Sequence, residues 1–200
     1  MLNKNRANLW VKIVALTVTA AFVAVAALSL VNPGGQPPAD SGSSAQDSDD
    51  QQALQLVTQL QQQLRANPTS TALLVELGNT YFNWADKQQQ AKRSLQAQSN
   101  FALAADAYTR ALGQGKDDPG VRTDLSTALF YSGDTTQAIA QGERVLKNNP
   151  TFPNALLNTG IFYASSGDSA RARGLWQRYL KVAPTGGGAD FVKQQLSNLK

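Results

Sequence analysis

The side chains that could do chemistry in this sequence are carboxylates, hydroxyls, amides and amines, because the 200 residues include no histidine and no cysteine. That inventory excludes disulfides, thiolate zinc sites, haem ligation by this chain, cysteine nucleophiles and histidine-based triads. General acid and base work would need converging carboxylates, and here they are scattered singly through turns and helix faces. The two adjacent pairs, Asp49-Asp50 and Asp117-Asp118, each precede a helical pattern, so both are expected to cap helix N-termini. Gly186-Gly187-Gly188 has no strand before it and no lysine after it, which favours a hinge over a phosphate loop. No catalytic residue, cofactor or metal is therefore expected, and the chain is read as non-enzymatic.

The elements that would position a binding surface are helices. From Asp49 onward apolar residues recur at three and four, without the sustained alternation of strands. The pattern predicts a leading helix over 51–66 and further helices near 71–88, 95–114, 120–132, 134–148, 153–166, 168–182 and 189–199. SGDTTQA at 132–138 returns as SGDSARA at 166–172, an offset of 34, and Pro150 returns as Pro184. Gly133 and Gly167 can end one helix in the left-handed conformation, while Asp134 and Asp168 can accept the orphan N–H groups that start the next. Ala138 and Ala172 fall where the paired helices must approach closely.

These residues resemble the tetratricopeptide repeat, a 34-residue helix-turn-helix unit. Leu156, Gly160, Tyr163, Ala172, Trp176 and Pro184 carry the likeness in a unit from Pro153, and Leu125, Leu129, Ala138, Val145 and Pro150 in a unit from Pro119. Ser126 stands where the small glycine is usual. In the first unit Leu74, Leu77-Gly78 and Tyr81 fit the opening half, and Ala104, Tyr108 and Ala111 the closing half. The halves are about 14 residues further apart than in the third unit, enough to lengthen each helix by about seven residues, or roughly 10 Å. The polar, helix-forming insert DKQQQAKRSLQAQSN reads as a solvated extension of that hairpin.

The resemblance implies an all-α, right-handed solenoid over 51–200: a leading helix at 51–66, repeat 1 with its insertion at 71–118, repeat 2 at 119–152, repeat 3 at 153–186, and a capping helix at 189–199. Trp84, Trp176, Phe101, Tyr108 and Tyr179 are assigned to packing. It also implies that the first helices of successive units line a concave face that meets a peptide. On that face stand Asn79, Phe82 and Asn83 in unit 1, Thr123, Thr127 and Phe130 in unit 2, and Asn154 and Asn158 in unit 3. Asn79 occupies a position that clamps a peptide carboxylate in some family members, but the accompanying lysines and arginines are missing here. A chaperone-tail clamp is not expected.

Ahead of the repeats, residues 9–31 are apolar apart from Lys12 and a few hydroxyls and would span roughly 34 Å as a helix. Lys4, Arg6 and Lys12 lie at its N-terminal side, and the next basic residue is Arg65. By the positive-inside rule, residues 1–31 form a basic cytoplasmic stub and a transmembrane signal anchor, with the C-terminal domain periplasmic or otherwise extracytoplasmic. A cleaved signal peptide is the competing reading, because Ala24-Val25-Ala26 has a small-x-small form. Residues 32–50, without aromatic or branched aliphatic side chains, read as a flexible linker. From position 32 onward 15 basic residues are mixed with 14 acidic ones, so the net charge of +4 is a topology signal and nucleic acid is not an expected partner.

The functional expectation is a scaffold held in a bacterial inner membrane that binds a protein or peptide partner. The layout resembles that of the anchored tetratricopeptide factors of c-type cytochrome maturation. The alternative is a self-associating, homo-oligomeric module of a larger membrane complex.

Overall fold

The computed structural model describes residues 43–185 and 188–199. The expected transmembrane anchor, its basic stub and most of the linker lie outside the described residues, as do Gly186 and Gly187 of the expected hinge. Among the described residues no helix is long and apolar enough to cross a membrane. The described part forms eight α-helices and no strand: α1 (Ser43–Ala66), α2 (Thr71–Gln90), α3 (Ser94–Gln114), α4 (Pro119–Tyr131), α5 (Thr135–Asn148), α6 (Pro153–Ser165), α7 (Ser169–Val182) and α8 (Ala189–Asn198). Each helix packs on the next, and α4 also meets α6 directly.

Three hairpins, α2–α3, α4–α5 and α6–α7, repeat one local design. Asp134 and Asp168 accept from the backbone N–H groups of Gln137 and Arg171, each at 3.0 Å. Gly133 and Gly167 take φ of +100° and +88°, and the N–H groups that follow them bond back to Leu129 and Tyr163 carbonyls at 2.9 Å. These are glycine-terminated helix ends feeding directly into an aspartate cap.

The first hairpin makes the same turn without the glycine. Lys92 holds φ +59° and Arg93 N–H reaches the Gln88 carbonyl at 2.8 Å. An L-residue in that region is strained, because its Cβ crowds the following carbonyl. Lys92→Gly should therefore raise the thermal unfolding midpoint, with a gain of up to about 1 kcal/mol after glycine's larger unfolded-state entropy is subtracted. An unchanged or lower midpoint would show that Lys92 carries no strain.

The insertion divides equally between its two helices. α2 and α3 have 20 and 21 residues, against 13 for α4 and α6 and 14 for α5 and α7. The insert is mostly exposed, as its polarity suggests, but Gln88, Ala97 and Asn100 within it are buried, with Ala85 and Phe101 at its base, and Asn100 donates to Gln88 across the hairpin at 2.8 Å.

Ala85, Ala97 and Phe101 pack with Phe82 inside the hairpin itself, and the outer side of α2 is met by α1. The helix α1 begins at Ser43, inside the stretch expected to be linker, and runs 24 residues, roughly 36 Å, alongside the long hairpin. Asp49 and Asp50 therefore lie within α1 instead of capping it. Asp50 accepts from Trp84 Nε1 at 2.6 Å and from both terminal nitrogens of Arg93, and Asp49 pairs with Lys87 at 2.9 Å. The second acidic pair divides its work: Asp118 caps α4 through Val121 N–H at 2.9 Å, while Asp117 holds the buried Arg122 and the exposed Arg144.

Inter-helix contacts close on small residues. Ala104, Ala138 and Ala172 are fully buried. A Cβ at Gly78 would sit 2.5 Å from the Tyr108 ring, at Gly142 2.1 Å from Thr159 Oγ1, and at Gly160 2.3 Å from Trp176 Nε1. At the far end α8 seats Ala189 and Val192 in the last core, and Phe191 stays 41% exposed, edge-on to Trp176.

Candidate functional site

The first helices α2, α4 and α6 present equivalent stripes, because residues three and four apart share a helix face. On α2 the stripe carries Asn79, Phe82 and Asn83, on α4 Thr123, Thr127 and Phe130, and on α6 Asn154 and Asn158. Polar contacts link the stripes. Asn158 Nδ2 donates to Thr127 Oγ1 at 3.0 Å, and Thr127 Oγ1 donates to the Thr123 carbonyl at 3.0 Å. Tyr108 of α3 reaches through the hairpin to donate to Asn79 Oδ1 at 2.8 Å.

The eight expected residues differ in accessibility. Asn79, Asn83 and Asn154 are exposed, and Phe82, Thr127, Phe130 and Asn158 are half-buried. Thr123 is 3% exposed, and its hydroxyl donates to the Pro119 carbonyl at 2.7 Å, so its polar atom is already engaged within α4. The structure brings Thr127 and Asn158 into contact, while the remaining residues are spread along the three stripes.

Aromatic rings run beneath and beside this polar row. Phe82 meets Phe101 edge-on at 5.1 Å, Phe101 stacks on Tyr131 at 5.0 Å, Tyr131 meets Phe130 at 5.3 Å, and Phe130 stacks on Phe162 at 4.7 Å. The rings join all three hairpins, and such pairs add about 0.5–1.5 kcal/mol each beyond area burial. A cavity of about 210 Å³, lined in part by Gln98, Phe101 and Tyr131, opens where the long hairpin overhangs the end of α4. Gln98 Nε2 spans the junction to the Ser132 carbonyl at 3.0 Å.

Two groups on this face escaped the sequence reading. Asp124 is one helical turn from Thr127 and acts electrostatically on Tyr108, whose phenol is pushed up first by burial and then by Asp124. The Asp124 carboxyl is itself raised, by lost solvation and then by Asp118, although its surface is exposed. Neighbouring protein crowds the carboxylate without covering it. The second group is the Tyr108 hydroxyl, which could not be placed before the hairpin was closed. Asp124 had a sequence signal: it holds the same place in its unit as Asn158 does in the next.

Charge is divided between the two sides of the hairpins. Helices α2, α4 and α6 contain Glu76, Asp86 and Asp124, and their two cations, Lys87 and Arg122, are paired with Asp49 and Asp117. Helices α5 and α7 contain Arg144, Lys147, Arg171, Arg173, Arg178 and Lys181 against Glu143 alone. Among the described residues no group of three or more carboxylates, histidines or cysteines converges as a metal site would require.

Residues 123–187 match the family model of the tetratricopeptide repeat. The fold is a tetratricopeptide solenoid. It is similar to the crystal structure of MamA, at 17% identity over 72% of this chain and 74% of that one, with a TM-score of 0.60. The first tetratricopeptide domain of Spaghetti (RPAP3), bound to the HSP90 peptide SRMEEVD, is similar at 20% identity over 64% of this chain and 93% of that one, with a TM-score of 0.53. BtubC from P. vanneervenii is similar at 18% identity, covering 78% of this chain and 65% of that one, with a TM-score of 0.55. Comparison of the sequence with curated proteins gives no match. At these identities the likeness shows the tetratricopeptide fold and leaves the site to be argued from its own residues.

Proposed function

We propose that this tetratricopeptide chain is a membrane-anchored, non-enzymatic scaffold whose first-helix face binds a protein or peptide segment on the extracytoplasmic side of a bacterial inner membrane. It would serve the assembly or maturation of an envelope complex, of which c-type cytochrome maturation is one example. The observation that carries the binding site is the row of Asn79, Asn83, Thr127, Asn154 and Asn158 above the aromatic rings of Phe82, Phe130 and Tyr131. Asn79, Asn83 and Asn154 are exposed, and with the half-buried Thr127 and Asn158 they suit an extended or helical segment recognised by shape and backbone hydrogen bonds. The apolar run at 9–31 with its N-terminal cations supports the anchor and the orientation.

The RPAP3 domain holds an acidic peptide. Here the corresponding face carries Glu76 and Asp124 and no unpaired cation among the described residues, so an acidic tail is not the expected ligand. A photoreactive residue at position 79 or 127, in the full chain within membranes, should capture a different protein. Capture of nothing, or only of another copy of the chain, would sink the groove reading.

Self-association is favoured by one observation. Leu95 and Leu103, 78% and 42% exposed, lie on α3 of the long hairpin. Sedimentation of the full chain across micromolar concentrations separates the readings: a monomer throughout excludes the self-associating module.

A further inference from the structure

A second surface lies on the opposite side of the hairpins from the first-helix stripes. Between α5 and α7 is a cleft of about 420 Å³, lined by Glu143, Leu146 and Lys147 of α5, Tyr163 of α6, and Arg171, Gly174, Leu175 and Arg178 of α7. Its apolar part is Leu146, Leu175 and the Tyr163 ring, and its rim is Lys147, Arg171 and Arg178.

The cations outnumber their partners. Glu143, the one carboxylate in the lining, accepts from the Tyr163 hydroxyl. Arg171 sits with its guanidinium 5.2 Å from the Tyr163 ring centre and reaches Asp168 only at 3.5 Å, with its side chain 66% exposed. Arg178 donates to the neutral Pro150 carbonyl at 2.7 Å. Gly174 lines the cleft, and a Cβ there would meet nothing within 4 Å, so a larger side chain has room at this edge. Of the six cations on α5 and α7, Arg144 is paired with Asp117 and Arg171 loosely with Asp168, and Lys147, Arg173, Arg178 and Lys181 remain against Glu143, so the field around the cleft is positive.

We propose that this cleft is a second docking site, which takes an acidic segment of a partner protein with one apolar side chain inserted over Leu146, Tyr163 and Leu175. Carboxylates flanking that side chain meet Arg171, Arg178 and Lys147, and the apolar floor distinguishes the site from a purely electrostatic patch. A bilayer surface would use the cations but could not fill the cleft. The site is independent of the first-helix face, and a scaffold with both would hold two segments at once on faces of unlike charge.

The test uses the full-length chain in zwitterionic micelles and three fluorescein-labelled peptides. One is a triple repeat of Glu-Leu-Glu-Gly, one replaces glutamate with glutamine, and one replaces leucine with serine. Fluorescence anisotropy at low salt should show the first binding about tenfold or more tightly than either control, because each lost ionic or apolar anchor removes on the order of a kilocalorie. Gly174→Leu fills the cleft and raises helix propensity, so it should weaken that binding about tenfold without lowering the melting temperature. Arg171→Gln and Arg178→Gln should each weaken it severalfold while the chain still folds. Equal binding of the glutamine or serine peptide overturns the proposal, and so does binding that survives Gly174→Leu. Capture of the first peptide by a photoreactive residue at position 127 also overturns it, because the peptide would then occupy the other face.

Discussion

Asp50→Ala should detach α1 from the long hairpin at a cost of about 2–3 kcal/mol, seen as lost amide hydrogen-exchange protection along α1 while α4–α8 keep theirs. The carboxylate accepts from the Trp84 indole at 2.6 Å and from both ends of the Arg93 fork, and the Asp50 and Arg93 side chains are 29% and 28% exposed. Removing it leaves a guanidinium and an indole N–H at a half-covered junction where water replaces their partner only in part. The loss stays local because α1 is a terminal helix in an array whose units contact mainly their neighbours.

The same contact makes docking acid-sensitive. The Arg93 hydrogen bond outweighs desolvation and, with Trp84 and the Arg93 charge, holds the Asp50 carboxyl below its usual 3.8. A carboxylate with a lowered folded pKa stabilises fully above its unfolded value and loses that contribution as pH falls through the folded one. Protection of α1 should therefore be constant above about pH 5 and decline below the usual aspartate range. Asp117, lowered by Arg122, acts in the same direction at the start of α4. Asp50→Asn should abolish the acid dependence at α1 while keeping part of the hydrogen bonding. If α1 protection is the same in Asp50→Ala as in the parent chain, the anchor role is wrong.

The largest core effect is expected at Trp176, which is 1% exposed, donates to the Leu157 carbonyl at 3.2 Å and packs its five-membered ring closely against Gly160. Trp176→Ala should cost about 3–5 kcal/mol, as for other buried aromatic truncations. Gly160→Ala should cost about 2 kcal/mol, because overpacking against the indole exceeds the gain in helix propensity. Combined, the substitutions should be less damaging than their sum. With the indole gone, the new methyl group meets open space and the propensity gain remains, so Gly160→Ala should become neutral or stabilising in the Trp176→Ala background. Urea unfolding of the four chains measures this coupling, expected at about 2 kcal/mol or more. Equal cost of Gly160→Ala in both backgrounds would show that the glycine answers to something other than Trp176.

Legibility in the sequence followed the range of the interaction. The SGD turns were legible because a left-handed glycine and an aspartate cap are set by a few consecutive residues. The Lys92 turn was not, since nothing local marks lysine for φ +59°, and closure of the long hairpin imposes it. The lengths of α2 and α3 followed from counting the extra residues, but their cover did not. DKQQQAKRSLQAQSN is mostly exposed, yet closing α2 on α3 makes Gln88 and Asn100 a buried pair. Of the acidic pairs, Asp118 caps α4 as its place before Pro119 suggests, whereas Asp50 meets Arg93 across 43 residues and Asp117 meets Arg144 across 27, contacts that no local pattern announces.

The sequence by itself determined the period of 34, the paired helices, the small residues where they close, and the stripes that carry Asn79, Thr127 and Asn158. Each of these depends on residues within about one repeat of one another, where chain connectivity dictates who meets whom. Only the tertiary structure decided that α1 docks on α2 of the extended hairpin, that Tyr108 reaches Asn79 from behind, that Thr123 spends its hydroxyl inside α4, and that a cleft with a cationic rim opens between α5 and α7. Those outcomes depend on how separate helices stack, and helical periodicity assigns a residue to a face without saying what will lie opposite it.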